Sequence, residues 1–394
     1  MAEKATDTMI DPCSTRMFSE AAEAADAVQR QLDLNAGTAR RIGLKMRELK
    51  PRFVTTVARG SSDHAANFAK YLIETRVGLV TSSSGPSVIS VYRSELNLKD
   101  SLCLVISQSG ASPDLLAVAE SARKSGAYVV ALVNVADSPL ASLAHEVLEL
   151  RAGPETSVAA TKSFIASLTA LIQVVNHWLD DEQLTSALEE TPGLLRRAWE
   201  CDWSPAIDVL ENTPGLFVLG RGLGLGIAYE AALKFKEVCG LHAEAFSSAE
   251  VLHGPVTIAR DHFPLLVLAQ RDACYPGTAR LVDELAQRDV QLMTAGIQHQ
   301  RAIHLPSPEG HPVIEPILRI QSFYRMANDL SVRLGQFPDQ PPFLSKVTAT
   351  VGRLESGSKS VASRSGEVVV LGGVRVDLGV VSGGDRIASV PGVD

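Results

Sequence analysis

The sequence predicts an α/β protein with two doubly wound αβα domains in tandem, each built on a mostly parallel sheet of five strands. Three observations predict this fold: a long internal repeat, short continuous apolar runs, and helical segments of about 10 to 15 residues between those runs. With 394 residues, 45% of them hydrophobic, the chain is long enough for two or three domains with substantial cores.

The repeat is visible as one ungapped register. An offset of 162 residues, the separation of Gly60 from Gly222, places the segment 57–79 over 219–241 and the segment 105–108 over 267–270. The identical pairs are Arg59 and Arg221, Gly60 and Gly222, Ala66 and Ala228, Ala69 and Ala231, Gly78 and Gly240, Leu79 and Leu241, Val105 and Val267, and Gln108 and Gln270. The period is far too long for a solenoid, so it indicates two copies of a whole domain.

The candidate strands of the first repeat are 53–58, 78–82, 102–106, 128–134 and 146–150, and those of the second are 215–220, 241–245, 263–269, 290–295 and 301–305. Runs such as LCLVI and FPLLVLA suit strands that are buried on both faces of a parallel sheet. Helical segments are expected at about 15–50 and 161–203.

Four regions are predicted from these elements. Residues 1–45 form an N-terminal helical segment, and 46–200 form the first domain with its connecting helices. Residues 201–352 form the second domain, which ends in a loop carrying a lysine. Residues 353–394 form a linker rich in glycine and serine, followed by a short β-like tail.

Composition excludes several classes of protein. The net charge is −8 and there is no long basic run, so no nucleic-acid partner is expected. No apolar run approaches the roughly 18 residues of a spanning helix, and the N-terminus has no secretory pattern, so a cytoplasmic protein is expected. The five cysteines are scattered and the nine histidines lack ligand spacing, which predicts neither a disulfide framework nor a metal site.

The segment 102–116 predicts a strand, a polar loop and a helix. Ser112 suits the helix N-cap and Pro113 the first helical position. Ser107, Ser109 and Ser112 offer hydroxyls and Gln108 an amide, around a helix N-terminus that favours anions. The pattern fits a phosphate cradle at the carboxyl end of a strand, but an ordinary serine-rich turn with a helix cap fits it about equally well.

Two further loops follow strands in the same way. Gly60 permits close backbone approach to a ligand, and Ser61 and Ser62 follow it, although a plain turn is the simpler explanation on local evidence. The loop 220–226, GRGLGLG, lacks the GxGxxG spacing of a dinucleotide site. No NAD cofactor is therefore expected.

Glu230, Lys234 and Glu237 share one face of a predicted helix, because their spacings are four and three residues. A solvated salt-bridge stripe is the usual explanation of such a row. The helix is otherwise largely apolar, however, and a buried row would have the perturbed pKa values that proton transfer uses. His253, in the tripeptide HGP, suits acid or base work near neutral pH, although a lone loop histidine is more often solvated.

Together these motifs resemble the sugar isomerase (SIS) family, and within it the isomerase half of the glucosamine-6-phosphate synthases. The matching segments are SQSGAS at 107–112, SVAATKSF at 157–164, EAALKFKE at 230–237, HAEAF at 242–246, HGP at 253–255 and FLSKVT at 343–348. The resemblance covers about residues 15–350. It implies two tandem SIS domains that dimerise, a phosphosugar substrate and no cofactor.

The resemblance also implies a role for each site residue. Glu237 moves the proton between C1 and C2, Lys234 stabilises the enediolate oxygen, and Glu230 supports the site. His253 assists ring opening, in this family commonly from the neighbouring subunit, and Lys346 closes over the open-chain sugar. The residues implied to hold the phosphate are Ser61, Ser62, Ser107, Gln108, Ser109 and Ser112, and those implied to lie along the sugar are Val158 and Ala160.

Two departures from the synthases shape the functional hypothesis. Barely 50 residues precede the first repeat, and Cys13 lacks the context of a glutaminase nucleophile, so we expect no ammonia to be drawn from glutamine. The chain also continues roughly 40 residues past the lysine loop. The leading hypothesis is a SIS-type glucosamine-6-phosphate deaminase. The alternatives are another phosphosugar isomerase or deglycase, a synthase isomerase half, and a non-catalytic sugar-phosphate sensor.

Overall fold

The structure is a computed structural model that describes residues 10–346 and the short strands Val369–Leu371 and Val374–Val376. The chain divides into two compact units, Met1–Gly352 and Arg353–Asp394. In the second unit the two short strands pair antiparallel. The rest of the predicted linker and tail lies outside the described residues.

Residues 10–346 of the first unit contain ten strands in two sheets, in agreement with the ten that the sequence predicts. The strands of the first sheet are β1 Val54–Val57, β2 Thr81–Ser83, β3 Leu102–Ser107, β4 Tyr128–Val133 and β5 Glu146–Glu149. Those of the second are β6 Gly215–Gly220, β7 His242–Ser247, β8 Phe263–Leu268, β9 Val290–Ala295 and β10 Ile303–Leu305.

Both sheets are parallel throughout and have the same topology. The strand orders are β2-β1-β3-β4-β5 and β7-β6-β8-β9-β10. The chain changes direction across the sheet between β1 and β3 in the first sheet, and between β6 and β8 in the second. Open α/β sheets bind ligands at such a switch point. The two repeats detected in the sequence are therefore two copies of one doubly wound fold.

Helices cover the sheets and connect them. Those up to the end of the first repeat are α1 Arg16–Ala22, α2 Ala24–Leu49, α3 Ser61–Arg76, α4 Ser87–Ser90, α5 Pro113–Lys124 and α6 Pro139–Leu143. Those that follow are α7 Lys162–Leu179, α8 Glu182–Trp199, α9 Ser204–Leu210, α10 Leu223–Cys239, α11 Tyr275–Leu285 and α12 Glu315–Arg333. The predicted boundary at residue 45 falls within α2, and the division into 46–200 and 201–352 stays a prediction.

One large core joins the two repeats. Alternate residues of β3, such as Leu104, and of β8, such as Leu266, belong to the same apolar cluster as the nearly fully buried helix α7. The residues between them face outward into two smaller clusters, one under α5 and one under α11, with Val105 and Val267 as examples. Because β3 and β8 are covered on both faces, the sequence of each is a continuous apolar run.

Helices α3 and α10 pack closely in this shared core. A Cβ at Gly226 of α10 would lie 2.6 Å from the carbonyl oxygen of His64 and 3.0 Å from the backbone nitrogen of Phe68, both in α3. Only glycine permits this approach of the two backbones. Ser61, at the start of α3, contacts Lys234 in the second half of α10, so the two helices run in opposite directions.

Within residues 10–346, no helix combines the length and the hydropathy that crossing a bilayer requires.

Candidate active site

The first cavity, of about 390 Å³, lies at the carboxyl ends of β1 and β3, at the switch point of the first sheet. It brings together most of the residues that the sequence analysis selected. Its lining includes Ser61, Ser62, Ser107, Gln108, Ser109, Ser112, Val158, Ala160, Lys234, Glu237 and Lys346. Glu230 lies behind the cavity wall and His253 lies elsewhere.

The serine loop, residues 107–112, connects β3 with α5. The Ser107 hydroxyl accepts a hydrogen bond from the backbone N–H of Gly110 at 3.1 Å, which closes the turn. Gly110 has a φ of 60°, and a Cβ there would lie 2.2 Å from the Ser138 hydroxyl oxygen. Ser112 occupies the N-cap of α5 in an extended conformation, and its side chain makes no capping hydrogen bond with the helix. The Ser112 hydroxyl is thus available to a ligand in the cavity.

The loop after β1 forms another wall of the cavity. It begins at Gly60, whose φ of 53° and ψ of −133° are accessible chiefly to glycine. Ser61 follows as the first residue of α3. The Ser61 hydroxyl donates to Glu230 Oε1 at 3.1 Å and accepts from Lys234 Nζ at 3.1 Å. Ser61 therefore links the loop to the charged row of α10 as well as lining the cavity.

The row itself is formed by one face of α10, as its spacing predicts. Lys234 Nζ lies 3.3 Å from Glu230 Oε1 and also donates a hydrogen bond to Glu237 Oε2. Glu230 and Lys234 are fully buried, whereas Glu237 remains partly exposed in the cavity. The predicted alternative of a solvated stripe does not describe these three residues.

Two residues that sequence reasoning missed complete the surroundings of Glu230. Tyr324 of α12 donates its hydroxyl to Glu230 Oε1 at 3.1 Å, and Nδ1 of His64 lies 2.9 Å from Oε2. His64 follows Ser61 by three residues, so helical spacing could have suggested it. Tyr324 lies 94 positions along the chain from Glu230, and no local pattern points to it.

These contacts fix the charges of the row. Burial opposes the ionisation of Glu230, but Lys234 and the hydrogen bonds from His64 and Ser61 outweigh it and lower the pKa of that carboxyl. Burial would likewise lower the pKa of Lys234, but Glu230 and Glu237 raise it well above its ordinary value. Lys234 is therefore a firmly protonated ammonium group beside Glu237. Burial and the neighbouring Glu230 raise the pKa of the Tyr324 phenol, which stays a donor.

Lys346 reaches the cavity from the C-terminal loop. Its Nζ donates to the carbonyl oxygen of Ser157 at 2.7 Å and to Glu155 Oε2 at 3.2 Å. Glu155 is fully buried and also accepts hydrogen bonds from the backbone of Thr161 and Ser163. Burial opposes its ionisation, but Lys346 and the Ser163 hydroxyl outweigh it, so the pKa of Glu155 is lowered. Glu155 is a further residue that the sequence analysis missed.

Arg59 adds a positive charge to the cavity lining. Its guanidinium pairs with the buried carboxylate of Asp114, with Nη2 at 2.7 Å and Nε at 2.8 Å from Oδ2. Asp114 lies in the first turn of α5, so this pair ties the loop after β1 to the loop after β3.

His253 does not line the cavity of its own chain. It ends the short 3-10 helix Glu250–His253 and is exposed, and Gly254 follows with a φ of 138°. Whether the side chain enters the site of a second subunit, as the resemblance implies, stays a prediction.

The comparisons with known proteins agree with this geometry. A model of the SIS domain matches residues 50–176. The chain is 33% identical over 330 residues to a glutamine–fructose-6-phosphate aminotransferase (isomerizing) of Thermus thermophilus, a match that covers 77% of this chain and 53% of that protein. The chain thus spans about half the length of the curated relatives it matches.

Two solved structures are similar along nearly their whole length. The C-terminal domain of the glucosamine-fructose-6-phosphate aminotransferase from Francisella tularensis matches with a TM-score of 0.75 and 25% identity, over 83% of this chain and 98% of that one. A candidate phosphosugar isomerase from Silicibacter pomeroyi DSS-3 matches with a TM-score of 0.80 and 43% identity, over 82% of this chain and all of that one. With both sheets, the motifs and these matches in agreement, the chain belongs to the SIS domain family.

Proposed function

We propose that this chain converts glucosamine 6-phosphate into fructose 6-phosphate and ammonia. The observation that carries the proposal is one cavity that contains both the serine loop at the N-terminus of α5 and the pair Lys234 and Glu237 of α10. The similarity to aminotransferases whose name includes fructose 6-phosphate and isomerization supports a phosphosugar substrate and aldose–ketose chemistry.

The serine loop suits the phosphate group. The hydroxyls of Ser109 and Ser112 are neutral hydrogen-bond donors at the cavity. The N-terminus of α5 adds a partial positive charge, and together these groups can stabilise a bound anion. Arg59, paired with Asp114, adds guanidinium N–H donors at the same wall. Val158 and Ala160 offer small apolar and backbone surface to the carbon chain of the sugar.

The charged row suits the proton transfer. In the open-chain sugar, Glu237 takes the proton from C2 and returns it to C1. The nitrogen on C2 gives one proton to the C1 oxygen, so the amino aldehyde becomes a C2 imine with a hydroxyl on C1. Lys234, protonated and desolvated, stabilises the oxygen that gains negative charge on C1 in the intermediate. Water then adds to the imine carbon and ammonia leaves, so fructose 6-phosphate and ammonia account for all atoms.

The buried residues hold this row in position. Glu230 accepts from Ser61, Lys234 and Tyr324, so the Lys234 ammonium is fixed between two carboxylates. Lys346, through Glu155 and Ser157, fixes the C-terminal loop at the cavity. Both arrangements place ionised groups before substrate binds, which reduces the reorganisation that the reaction requires.

The deciding experiment incubates the purified protein with glucosamine 6-phosphate and no glutamine, and measures ammonia and fructose 6-phosphate together. Equal appearance of both supports the deaminase. If neither forms while the sugar phosphate raises Tm, the proposal is wrong, and the site belongs to another phosphosugar isomerase or to a sensor. Interconversion of an aldose phosphate and a ketose phosphate without ammonia would favour the isomerase.

We also propose that the active form is a homodimer in which His253 enters the partner's cavity. Its exposure on the chain described above leaves the imidazole accessible to a second copy. Mixing Glu237→Gln subunits with His253→Ala subunits, each inactive alone, restores about half of the wild-type activity per heterodimer if the site is shared, because one of the two sites is then intact. No recovery would show that both residues act within one chain.

A further inference from the structure

A second cavity, of about 580 Å³, lies at the carboxyl ends of β6 and β8, at the switch point of the second sheet. Arg221, Gly222, Asp272 and Cys274 line it from the second repeat. Tyr71, Thr75 and Arg76 line it from α3 of the first repeat. It therefore occupies the position in the second repeat that the candidate active site occupies in the first.

The two repeats share the backbone of this position. Gly222 precedes α10 with a φ of 58° and a ψ of −126°, close to the 53° and −133° of Gly60 before α3. Cys274 occupies the N-cap of α11, the position that Ser112 occupies in α5, although Cys274 has a helical backbone conformation and Ser112 an extended one. A ligand would thus approach the second cavity as it approaches the first.

The two repeats do not share the side chains of the charged row. The 162-residue offset places Phe68, Leu72 and Thr75 where α10 carries Glu230, Lys234 and Glu237. The second cavity therefore contains no counterpart of the base or of the ammonium group among its described residues. It has the shape of a ligand site without the Glu–Lys–Glu row of the first. His311 also lines it, and its Nδ1 accepts a hydrogen bond from the backbone N–H of Val313 at 3.2 Å.

Its charge nevertheless points to an anion. Arg221 corresponds to Arg59, but the position of Asp114, the partner of Arg59, is occupied by Pro276. Within the described residues no carboxylate forms an ion pair with Arg221. Its Nη1 would lie 2.6 Å from a Cβ at Gly277, so the guanidinium packs on the first turn of α11, a turn without an acidic residue. A cation at the positive end of a helix is unfavourable until an anion joins it.

The other charged groups of the cavity have partners of their own. Asp272 accepts hydrogen bonds from the backbone of Cys274 at 2.8 Å and from Gln270 at 3.0 Å. Arg76 pairs with Asp181. Gln270, the counterpart of Gln108, also donates to the carbonyl oxygen of Arg221 at 2.7 Å and so is not directed at a ligand. Arg221 is therefore the charged group of this cavity that can bind an anionic ligand.

From these observations we propose that the second cavity is a non-catalytic site for the phosphate group of a small phosphorylated metabolite, with Arg221 as its anchor. The hydroxyls of the serine loop are replaced there by Ala269, Arg271 and Cys274, so the phosphate is held by charge more than by neutral donors. The proposal does not require the first cavity to be a deaminase.

The test is a titration of the full chain with inorganic phosphate and with fructose 6-phosphate, followed by calorimetry. Ser112→Glu places a carboxylate in the first cavity and removes binding there. We expect wild-type protein to bind two molecules of fructose 6-phosphate per chain and the Ser112→Glu variant to bind one. Adding Arg221→Ala should weaken that remaining site at least about tenfold for both probes, whereas Arg221→Lys should retain it.

One molecule bound per chain in the wild type, with no effect of Arg221→Ala, would overturn the proposal. The same holds if the Ser112→Glu variant binds no phosphate up to about 20 mM, because the charge of Arg221 should give at least millimolar affinity. Thr75→Trp fills the cavity from the other helix and should remove the site without touching Arg221, which controls for misfolding of the arginine variant. If the wild-type protein shows no deaminase activity but binds phosphate in an Arg221-dependent way, the proposed function is refuted and this inference is not.

Discussion

The two cavities occupy equivalent positions in the two repeats and differ in their side chains. In each, a glycine with positive φ and a helix N-cap lie at the switch point of a parallel sheet. Lys234 and Glu237 of α10 line the first cavity opposite those loops. The matching positions of α3 are Leu72 and Thr75, and of these Thr75 lines the second cavity. The difference teaches that one fold can present two similar cavities, whereas a few side chains on a crossing helix set the chemistry that each one offers.

The largest effect is expected at the base. Glu237→Gln should lower kcat about 1000-fold while sugar-phosphate binding persists, because the amide cannot accept the C2 proton. Turnover and binding by calorimetry check this together. The matched control is Glu120→Gln, which makes the same change at an exposed helix pair with Lys124 and should leave kcat unaltered. Normal turnover by the Glu237 variant would remove the distinction between the two cavities.

Glu230 is expected to matter for stability. Glu230→Gln should lower the free energy of unfolding by about 3 kcal/mol, because a buried ammonium group loses one of its two carboxylates. Urea unfolding measures the loss. Glu230→Gln combined with Lys234→Met should recover part of it, since no unpaired cation is then buried. An additive loss in the double variant would show that the pair is not what stabilises α10.

A smaller effect is expected in the serine loop. Ser112→Ala should raise KM about tenfold, which is the loss of one hydrogen bond to a charged phosphate, and should leave kcat nearly unchanged. Steady-state kinetics separates the two constants. Ser186→Ala, at an exposed position of α8, is the control. A fall in kcat with constant KM would place Ser112 in the chemical step and not in phosphate binding.

The smallest effect is a change in acid sensitivity. The pKa of Glu155 is lowered in the folded chain, so the unfolded chain binds more protons in the range between the lowered and the ordinary pKa. The stability that the ionised group contributes is therefore present above the ordinary pKa and is lost as the pH falls. Glu155→Gln should flatten the dependence of the unfolding free energy on pH below the ordinary glutamate pKa of 4.5. Unfolding curves at several pH values test this, and an unchanged slope would contradict it.

The sequence was sufficient for the fold because central strands such as β3 and β8 are buried on both faces. Runs such as 102–106 and 263–269 can form few other structures, and the repeat predicts each strand twice. Edge strands were predicted less well. The segment predicted from residue 78 pairs only from Thr81, opposite Val54, so the length of β2 depends on its neighbour.

The site was predicted where it depends on local spacing. The serine loop and the row of α10 are short motifs, and the structure brings both to one cavity. Glu155 and Lys346 are separated by 191 residues, and Tyr324 reaches Glu230 from another helix. Such pairs are created by packing, so a single sequence without the fold contains no signal for them. Two expectations remain predictions: that the serine loop binds phosphate, and that His253 enters the cavity of a neighbouring subunit.

The antiparallel crossing of α3 and α10 has a consequence for how such a chain can arise. Each helix begins at one cavity and extends to form a wall of the other. A protein with a single repeat would therefore have to associate with a second copy to close either cavity, and every substitution in it would change both cavities together. Covalent fusion of the copies holds them at high effective concentration. It also lets the residues of each cavity change independently, because the two repeats are then encoded separately. One pocket can then retain catalysis while the other acquires a different ligand.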